Sequence, residues 1–196
     1  MFTPVYIENF LSPPVADEVY QTLMTDLDWV HRENVPRKEY WATLNNRSYT
    51  YGRGVGVRTY DSQPSHVYIE AVRDMLVSMN EKHSWSGRYE GCFLNRYDHG
   101  RDQLGWHADD DPGIDHDNPI AVVTLGNARM LQWKLIKDAD GNPVKGMDAI
   151  NGILLKPGSV LFMPPGMQDE YYHRIPKAVS PEPDGPRISM TYRSLK

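Results

Sequence analysis

The feature that most constrains the fold is an alternation of apolar and polar residues, which begins at Tyr89 and continues to the end of the chain. A period of two is typical of β-strands, because successive side chains point to opposite faces of a sheet. Turn-forming stretches such as Lys156-Pro157-Gly158 divide the alternation into short segments. Eight strands are predicted, at residues 89–97, 104–109, 119–125, 129–136, 152–155, 159–163, 171–175 and 187–194.

Upstream of these strands the apolar residues follow a helical spacing. A first helix is predicted to begin after Ser12, since apolar residues recur at every fourth position from Val15 to Leu27. A second helix is predicted from near Pro64 to just before Ser84, with apolar residues at Tyr68, Val72, Met75 and Met79. This order of elements predicts an α+β fold: a double-stranded β-helix, or jelly roll, with the N-terminal helices packed on one sheet.

The 196 residues fit one domain that can bury a sizeable core. Within it we expect an N-terminal part, residues 1–88, and a jelly-roll core, residues 89–196. Residues 30–58 are polar, basic and aromatic, and they predict a functional lid with short strands. A single cysteine, Cys92, excludes an internal disulfide, and no stretch reaches the roughly 18 apolar residues of a membrane span. An intracellular, soluble protein is therefore expected.

The charged residues are unevenly distributed. The formal net charge of −5 argues mildly against a general nucleic-acid binder, because phosphate contacts need lysine and arginine. Residues 31–60 nevertheless carry six lysines and arginines against two glutamates, whereas residues 98–118 carry seven aspartates against one arginine. The two segments suggest separate surfaces for an anionic partner and for a cation. The alternative is that both are solvated loops.

A candidate metal site begins with His107 and Asp109. Two residues apart on a strand, their side chains share a face and can reach one ion. A third ligand must come from elsewhere in the chain, and His173 lies on a later predicted strand that a jelly roll can bring alongside. Two histidines and one carboxylate are the facial set of non-haem Fe(II) oxygenases. The alternative for the first two residues is an ordinary surface pair.

The last predicted strand adds an anion site. Polar residues alternate there with apolar ones, and the polar set is Arg187, Ser189, Thr191 and Arg193. Two arginines on an inward face are costly to bury unless each meets an anion. A small dicarboxylate such as 2-oxoglutarate offers two carboxylates, and Asn95 and Tyr97 provide further donors. The alternative is an edge strand whose arginines face water.

The residues of the candidate metal and anion sites match a known family. The matching motifs resemble those of the AlkB family of Fe(II)/2-oxoglutarate dioxygenases, over roughly residues 36 to 195. They are Asn95-x-Tyr97, His107-x-Asp109-x-Asp111, Pro119 to Gly126 with Arg129, His173-x-Ile175-Pro176 and Arg187-x5-Arg193. The upstream residues Pro36-Arg37-Lys38, Tyr49 and Tyr51 are similar to those of animal AlkB homologues that repair DNA.

The resemblance implies a role for each matched position. His107, Asp109 and His173 would hold Fe(II) and form the catalytic centre, with O2 as the oxidant. The residues implied for 2-oxoglutarate are Asn95, Tyr97, Arg187, Ser189, Thr191 and Arg193, with Arg187 and Tyr97 at the distal carboxylate and Arg193 nearer the metal.

For the substrate, the resemblance implies a nucleotide-recognition lid. Tyr51, beside Tyr49, falls where the family stacks an aromatic ring on an extruded base, opposite His107. Asp111 falls where an acidic residue contacts the exocyclic amine of that base. Arg37 and Lys38 would approach the nucleic-acid backbone.

Two departures from the family pattern stand out. Ser189 replaces a common asparagine, which implies a changed co-substrate contact. Residues 30–35 lack the apolar wedge of duplex-active members, which favours single-stranded substrates.

The expected function is oxidative demethylation of bases such as 1-methyladenine and 3-methylcytosine in DNA or RNA, by a monomer without membrane contact. One alternative keeps the chemistry but acts on another base modification, a protein side chain or a lipid. A second alternative is a jelly-roll binding module without catalysis.

Overall fold

The computed structural model of the protein describes residues 3–51, 57–144, 150–178 and 185–196. The chain forms, in order, β1 Val5–Ile7, α1 Pro13–Asp26, β2 Val30–His31, β3 Lys38–Thr43, β4 Tyr49–Tyr51, β5 Arg58–Tyr60, α2 Val67–His83, β6 Gly91–Tyr97, β7 Leu104–His107, β8 Ile120–Gly126, β9 Arg129–Leu135, β10 Asn151–Leu155, β11 Val160–Met163, α3 Met167–Glu170, β12 Tyr171–Ile175 and β13 Arg187–Arg193. Within these ranges no helix is long and apolar enough to span a membrane.

Two antiparallel sheets form the body of the fold. The large sheet has the strand order β1-β11-β8-β13-β6-β3-β2, and the small sheet has the order β10-β9-β12-β7. Apolar residues of both sheets meet in one cluster, in which Ile120 and Leu161 of the large sheet join Leu131 and Tyr171 of the small one. The predicted jelly roll is confirmed, and the eight predicted strands correspond to β6 to β13.

β13 lies in the centre of the large sheet. It pairs with β6 on one side and β8 on the other, so that Ser189 lies opposite both Asn95 and Thr124. All seven of its residues are buried. The alternative of an edge strand with solvated arginines is therefore wrong, and the polar side chains of β13 are buried within the domain.

The outward face of the large sheet packs against α1 and α2, as expected, although the buried positions of the helices differ from the predicted ones. Ala16, rather than Val15, is buried near the start of α1, and Val15 is 43% exposed. In α2 Leu76 is buried and Met75 is 40% exposed. A repeat of four residues drifts about 40° per step around a helix, so one such row cannot stay on the buried face.

The region predicted as a lid divides between two structures. β3 belongs to the large sheet, where it pairs with β6. β4 and β5 pair with each other as a separate ribbon, and residues 52–56 between them lie outside the described residues. The large sheet thus contains strands both from the expected N-terminal part, residues 1–88, and from the expected jelly-roll core, residues 89–196.

Candidate metal and co-substrate site

Three side chains converge where β7 and β12 lie side by side. His107 and His173 are register partners on these strands, and their ring centroids are 4.1 Å apart. The Nε2 atoms of both histidines lie 3.9 Å from carboxylate oxygens of Asp109. One candidate ligand atom from each residue lies within 4.8 Å of the other two, which is close enough for a shared ion. The predicted triad is therefore assembled.

Asp109 does not lie on the strand that was predicted to carry it. β7 ends at His107, so the predicted strand 104–109 is too long. The position of Asp109 is instead fixed by its backbone N–H, which donates to Oε1 of the buried Gln168 at 3.0 Å. Gln168 lies on α3 and also donates to Sδ of Met163 at 3.6 Å. No sequence pattern pointed to Gln168, because its role depends on a contact between distant segments.

Electrostatics favour the protonation states that metal binding requires. Burial alone would raise the pKa of Asp109, but Arg193, 2.9 Å from its Oδ2, and the two imidazoles lower that pKa to about 2. Burial, followed by the charge on His107, lowers the pKa of His173 to about 3. Burial also lowers the pKa of His107. At neutral pH the carboxylate is thus ionised and both imidazoles are neutral, as in a metal-ligand set.

The donor set fits Fe(II). Two imidazoles and one carboxylate are the facial triad of non-haem iron sites, and they leave positions open for other ligands. His107 Nδ1 lies 2.9 Å from the carbonyl oxygen of Gly105. A proton donated there orients the ring and leaves Nε2 free for a cation, as metal-binding histidines require.

Beyond the triad, the inward face of the large sheet presents hydrogen-bond donors that lack partners. Arg187 is fully buried, and its Nη2 donates to Oγ1 of Thr124 at 3.0 Å. Its Nε and Nη1, and the hydroxyl of Tyr97, have no hydrogen-bond partner among the described residues. Burial lowers the pKa of Arg187 to about 10, so the guanidinium is still charged at neutral pH. A buried cation with free N–H groups fits a carboxylate.

The surroundings of Arg187 are fixed by tight packing. Arg187 Cζ lies 5.3 Å from the centre of the Tyr97 ring, and Cζ of Arg129 lies 5.5 Å from the same ring. Arg129 donates to the carbonyl oxygen of Asp102 at 2.8 Å. Gly126 has φ +75°, and a side chain there would approach the carbonyl oxygen of Pro186 to 2.6 Å. Glycine is thus required where β8 ends beside the start of β13.

A cavity opens beside His107 and Asp109 of the triad. These two residues and Arg193 line its metal end, and the rest of the wall is largely aromatic and polar, formed by Arg37, Tyr49, Tyr51, Tyr60, Phe93, Asn95 and Leu104. The Tyr51 ring lies edge-on to His107, with centroids 6.3 Å apart and an interplanar angle of 86°.

The other predicted substrate residues lie in different surroundings. Arg37 faces the cavity, and its Nε donates to Oδ1 of Asn95 at 2.6 Å. Lys38 instead forms an ion pair with Asp98 at 2.9 Å. Asp111 lies in the loop after β7, where its Oδ1 accepts from the Gly113 N–H at 2.8 Å. Asp111 therefore does not lie on the strand that carries His107.

Comparison with known proteins agrees with this site. The family model described as the 2OG-Fe(II) oxygenase superfamily matches residues 3–193. The chain belongs to that superfamily. The resemblance to AlkB proteins is also confirmed by similar sequences.

Two relatives illustrate this likeness. The alkB homolog 3 of Bos taurus, an alpha-ketoglutarate-dependent dioxygenase, is 25% identical over 195 residues, and the match covers 95% of this chain and 64% of the relative. The DNA oxidative demethylase ALKBH2 of Homo sapiens is 26% identical over 189 residues, covering 92% and 69%. This chain thus spans about two thirds of the length of these relatives. The solved structure of OsALKBH1 superposes with a TM-score of 0.65 at 15% identity, covering 99% of this chain and 100% of that one.

Proposed function

We propose that this protein is an Fe(II)- and 2-oxoglutarate-dependent dioxygenase that demethylates alkylated bases of the 1-methyladenine and 3-methylcytosine type in single-stranded DNA or RNA. The observation that carries the proposal is the position of the triad at the end of a cavity walled by tyrosines. The relative named as a DNA oxidative demethylase supports the substrate class.

His107, Asp109 and His173 would hold the iron. Bound iron, with 2-oxoglutarate and O2, supplies the oxidation that hydroxylates an N-methyl carbon, yielding succinate and carbon dioxide, and the hydroxymethyl product releases formaldehyde. The chain itself provides neutral imidazoles and an ionised carboxylate at neutral pH. Gln168 holds the backbone of Asp109, so that the carboxylate meets the histidines without rearrangement.

The inward face of β13 would bind 2-oxoglutarate. Arg187 and Tyr97 meet its distal carboxylate, because both carry buried donors without partners among the described residues. Arg193 lies beside Asp109 and acts at the end nearer the metal. The other polar contributors are Asn95, Ser189 and Thr191, of which Ser189 is opposite Asn95 in register.

The aromatic wall would receive the base. Tyr51 and Tyr49 have centroids 6.3 Å apart in a stacked arrangement, and Tyr51 lies closest to His107. Stacking of a base on an aromatic side chain contributes about 1 to 3 kcal/mol with little sequence preference. A base methylated on its Watson–Crick edge leaves its stack more readily, since its pairing is already lost.

Arg37, Lys38 and Asp111 complete the proposed substrate contacts. Arg37 lines the cavity and would contact the base or its sugar. Lys38, which pairs with Asp98, would face the nucleic-acid strand. Asp111 would accept from the exocyclic amine of the base, because it follows Asp109 closely along the chain. Residues 30–35 lack the apolar wedge of duplex-active members, which supports a single-stranded substrate.

The test uses methylated oligonucleotides, as DNA and RNA and as single and double strands. Each is incubated with the protein, Fe(II), ascorbate and 2-oxoglutarate, and replacement of the methyl group by hydrogen is followed by mass spectrometry. We expect single strands with 1-methyladenine or 3-methylcytosine to lose their methyl groups. Accumulation of succinate without demethylation would contradict the substrate assignment and favour a protein or lipid target.

A further inference from the structure

A second cavity lies beside the catalytic one. It has a volume of about 360 Å³ between β3 and β5, and its wall includes Arg32, Glu39, Thr59, Tyr60, Asp61 and Gln63. Tyr60 also lines the catalytic cavity, so the thickness of one side chain separates the two spaces. The volume is within the range for small-molecule sites. Two groups joined by a short linker can therefore occupy both cavities.

One carboxylate oxygen of Glu39, a residue of this cavity wall, forms an ion pair but no hydrogen bond among the described residues. The residue is 1% exposed, and its Oε1 accepts from Arg37 Nη2 at 2.7 Å. Its Oε2 lies 3.7 Å from Arg32 Nε, and neither of these two buried atoms has a hydrogen-bond partner in the described part of the chain. A buried carboxylate oxygen without a hydrogen bond is costly. The cavity thus matches a ligand that carries an N–H donor.

The same wall offers a flat surface for stacking. Arg32 Cζ lies 4.5 Å from the centre of the Tyr60 ring, so the guanidinium covers that ring. The Arg32 side chain is 37% exposed, and its Nη2 donates to the carbonyl oxygen of Thr59 at 3.4 Å. A planar guanidinium packed on an aromatic ring readily accepts a further aromatic ring. A planar ligand with an amino group fits both features of the wall.

We propose that the second cavity binds the unmodified base of the nucleotide next to the methylated one, and that it selects bases with an exocyclic amino group. The base stacks on Arg32 and donates its amino N–H to Oε2 of Glu39. Adenine, cytosine and guanine carry such a donor, whereas thymine and uracil do not. This subsite rests on the proposed function, since a nucleic-acid strand is what links the two cavities.

A change in the ligand tests the subsite without altering the protein. Short single strands carry a central 1-methyladenine and, on one side or the other, either adenine or purine, which differs from adenine only by the missing amino group. Binding to the full chain is measured by fluorescence anisotropy, without oxygen and with Fe(II) and 2-oxoglutarate present. We expect adenine on one side to bind about tenfold more tightly than purine, as for a hydrogen bond to a charged group. If strands with adenine and with purine bind equally tightly, whichever side carries the base, the subsite is overturned and water is left as the occupant of the cavity.

Matched carboxylate variants assign the effect to Glu39. We expect Glu39→Gln to reduce the adenine-to-purine ratio to about threefold, because hydrogen bonds to neutral groups have roughly half the strength of charged ones. Asp61→Asn changes another carboxylate of the same cavity and should leave the ratio unchanged. A ratio that falls in Asp61→Asn but not in Glu39→Gln would also overturn the proposal.

The central base separates this test from that of the proposed function. Strands with unmethylated adenine at the centre report whether the catalytic cavity prefers the methylated base. If this preference is absent while the neighbouring adenine is still favoured over purine, the proposed function fails and the subsite stands. If the methyl preference is present without discrimination at the neighbour, the subsite fails and the proposed function stands. Absence of binding by every strand contradicts both.

Discussion

The two faces of β13 are buried to a similar extent but differ in chemistry. On the outward face, Ile188, Met190 and Tyr192 join an apolar cluster with α1 and α2. On the inward face, Arg187 and Arg193 are also buried. Arg193 pairs with Asp109 at 2.9 Å, and Nε and Nη1 of Arg187 have no hydrogen-bond partner among the described residues. The outward face therefore stabilises the fold, whereas the inward face adds a desolvation cost that folding alone does not explain. We propose that the ligands of the inward face account for this cost.

The largest expected effect comes from removing the carboxylate that pairs with Arg193 of the inward face. Asp109→Ala should abolish metal binding and turnover, because it deletes one of three ligands and leaves Arg193 without its ion-pair partner. The matched control is Asp110→Ala, which changes an exposed neighbouring carboxylate. Isothermal titration with Mn(II) or Fe(II) measures the difference. Retained metal affinity in Asp109→Ala would contradict the assignment of the triad.

A paired substitution tests the contrast between the two faces directly. Arg187→Met should lower 2-oxoglutarate affinity at least about 30-fold, as expected when one partner of a buried charge pair is removed. Its free energy of unfolding should stay within about 1 kcal/mol of the wild type, since an apolar residue of similar volume replaces a buried cation.

Met190→Ala, on the outward face, should do the reverse. It should cost about 2 to 5 kcal/mol of unfolding free energy because it opens a cavity in a packed core, and it should leave 2-oxoglutarate affinity unchanged in the folded protein. Urea unfolding and ligand titration of both variants check the pair. Similar losses of stability in the two variants would contradict the account in which the outward face stabilises the fold and the inward face binds ligands.

This contrast was largely visible in the sequence. The alternation over residues 187–194 predicted β13 and its polar face, and the His107-x-Asp109 spacing predicted two metal ligands. Local patterns carry such information because they set which side chains share a face. The sequence could not show that β7 ends before Asp109, because the position of Asp109 depends on the hydrogen bond that its N–H donates to Gln168, 59 residues away along the chain.

The substrate end was less predictable for the same reason. Arg37 was expected to approach a nucleic-acid backbone, but its side chain is held inward by Asn95 and Glu39. Glu39 appeared as one charge in a basic segment, yet pairing of β3 with β6 buries it opposite Asn95. Thr124, which holds Arg187, also gave no local signal. Such contacts arise only when distant strands become neighbours.

A smaller effect should follow from loosening the support of the metal site. Gln168→Ala should lower metal affinity about 10- to 100-fold, the usual range for residues that orient a ligand. Glu170→Gln, an exposed change on the same helix α3, serves as the control. Metal titration distinguishes the two. If both variants bind metal as the wild type does, then Asp109 is positioned without Gln168.

The smallest change in total turnover is expected at Asp111. Asp111→Asn should leave metal binding intact and mainly alter which methylated base is accepted, because its carboxylate lies in the loop beyond the triad. Competition between 1-methyladenine and 3-methylcytosine strands, followed by mass spectrometry, measures that preference. Uniform loss of turnover on both bases, equal to that of Asp109→Ala and with iron binding intact in both variants, would contradict separate roles for the two aspartates.

The most direct measurement of the central claim is the visible absorbance of the protein with Fe(II) and 2-oxoglutarate in the absence of oxygen. An Fe(II)–2-oxoglutarate chelate held by the triad and by the inward face of β13 should give a band that needs both components. The band should disappear in Asp109→Ala, weaken in Arg187→Met at limiting 2-oxoglutarate, and persist in folded Met190→Ala. Absence of the band in the wild type, or equal bands in all three variants, would contradict the claim that this face is built to bind iron and its co-substrate.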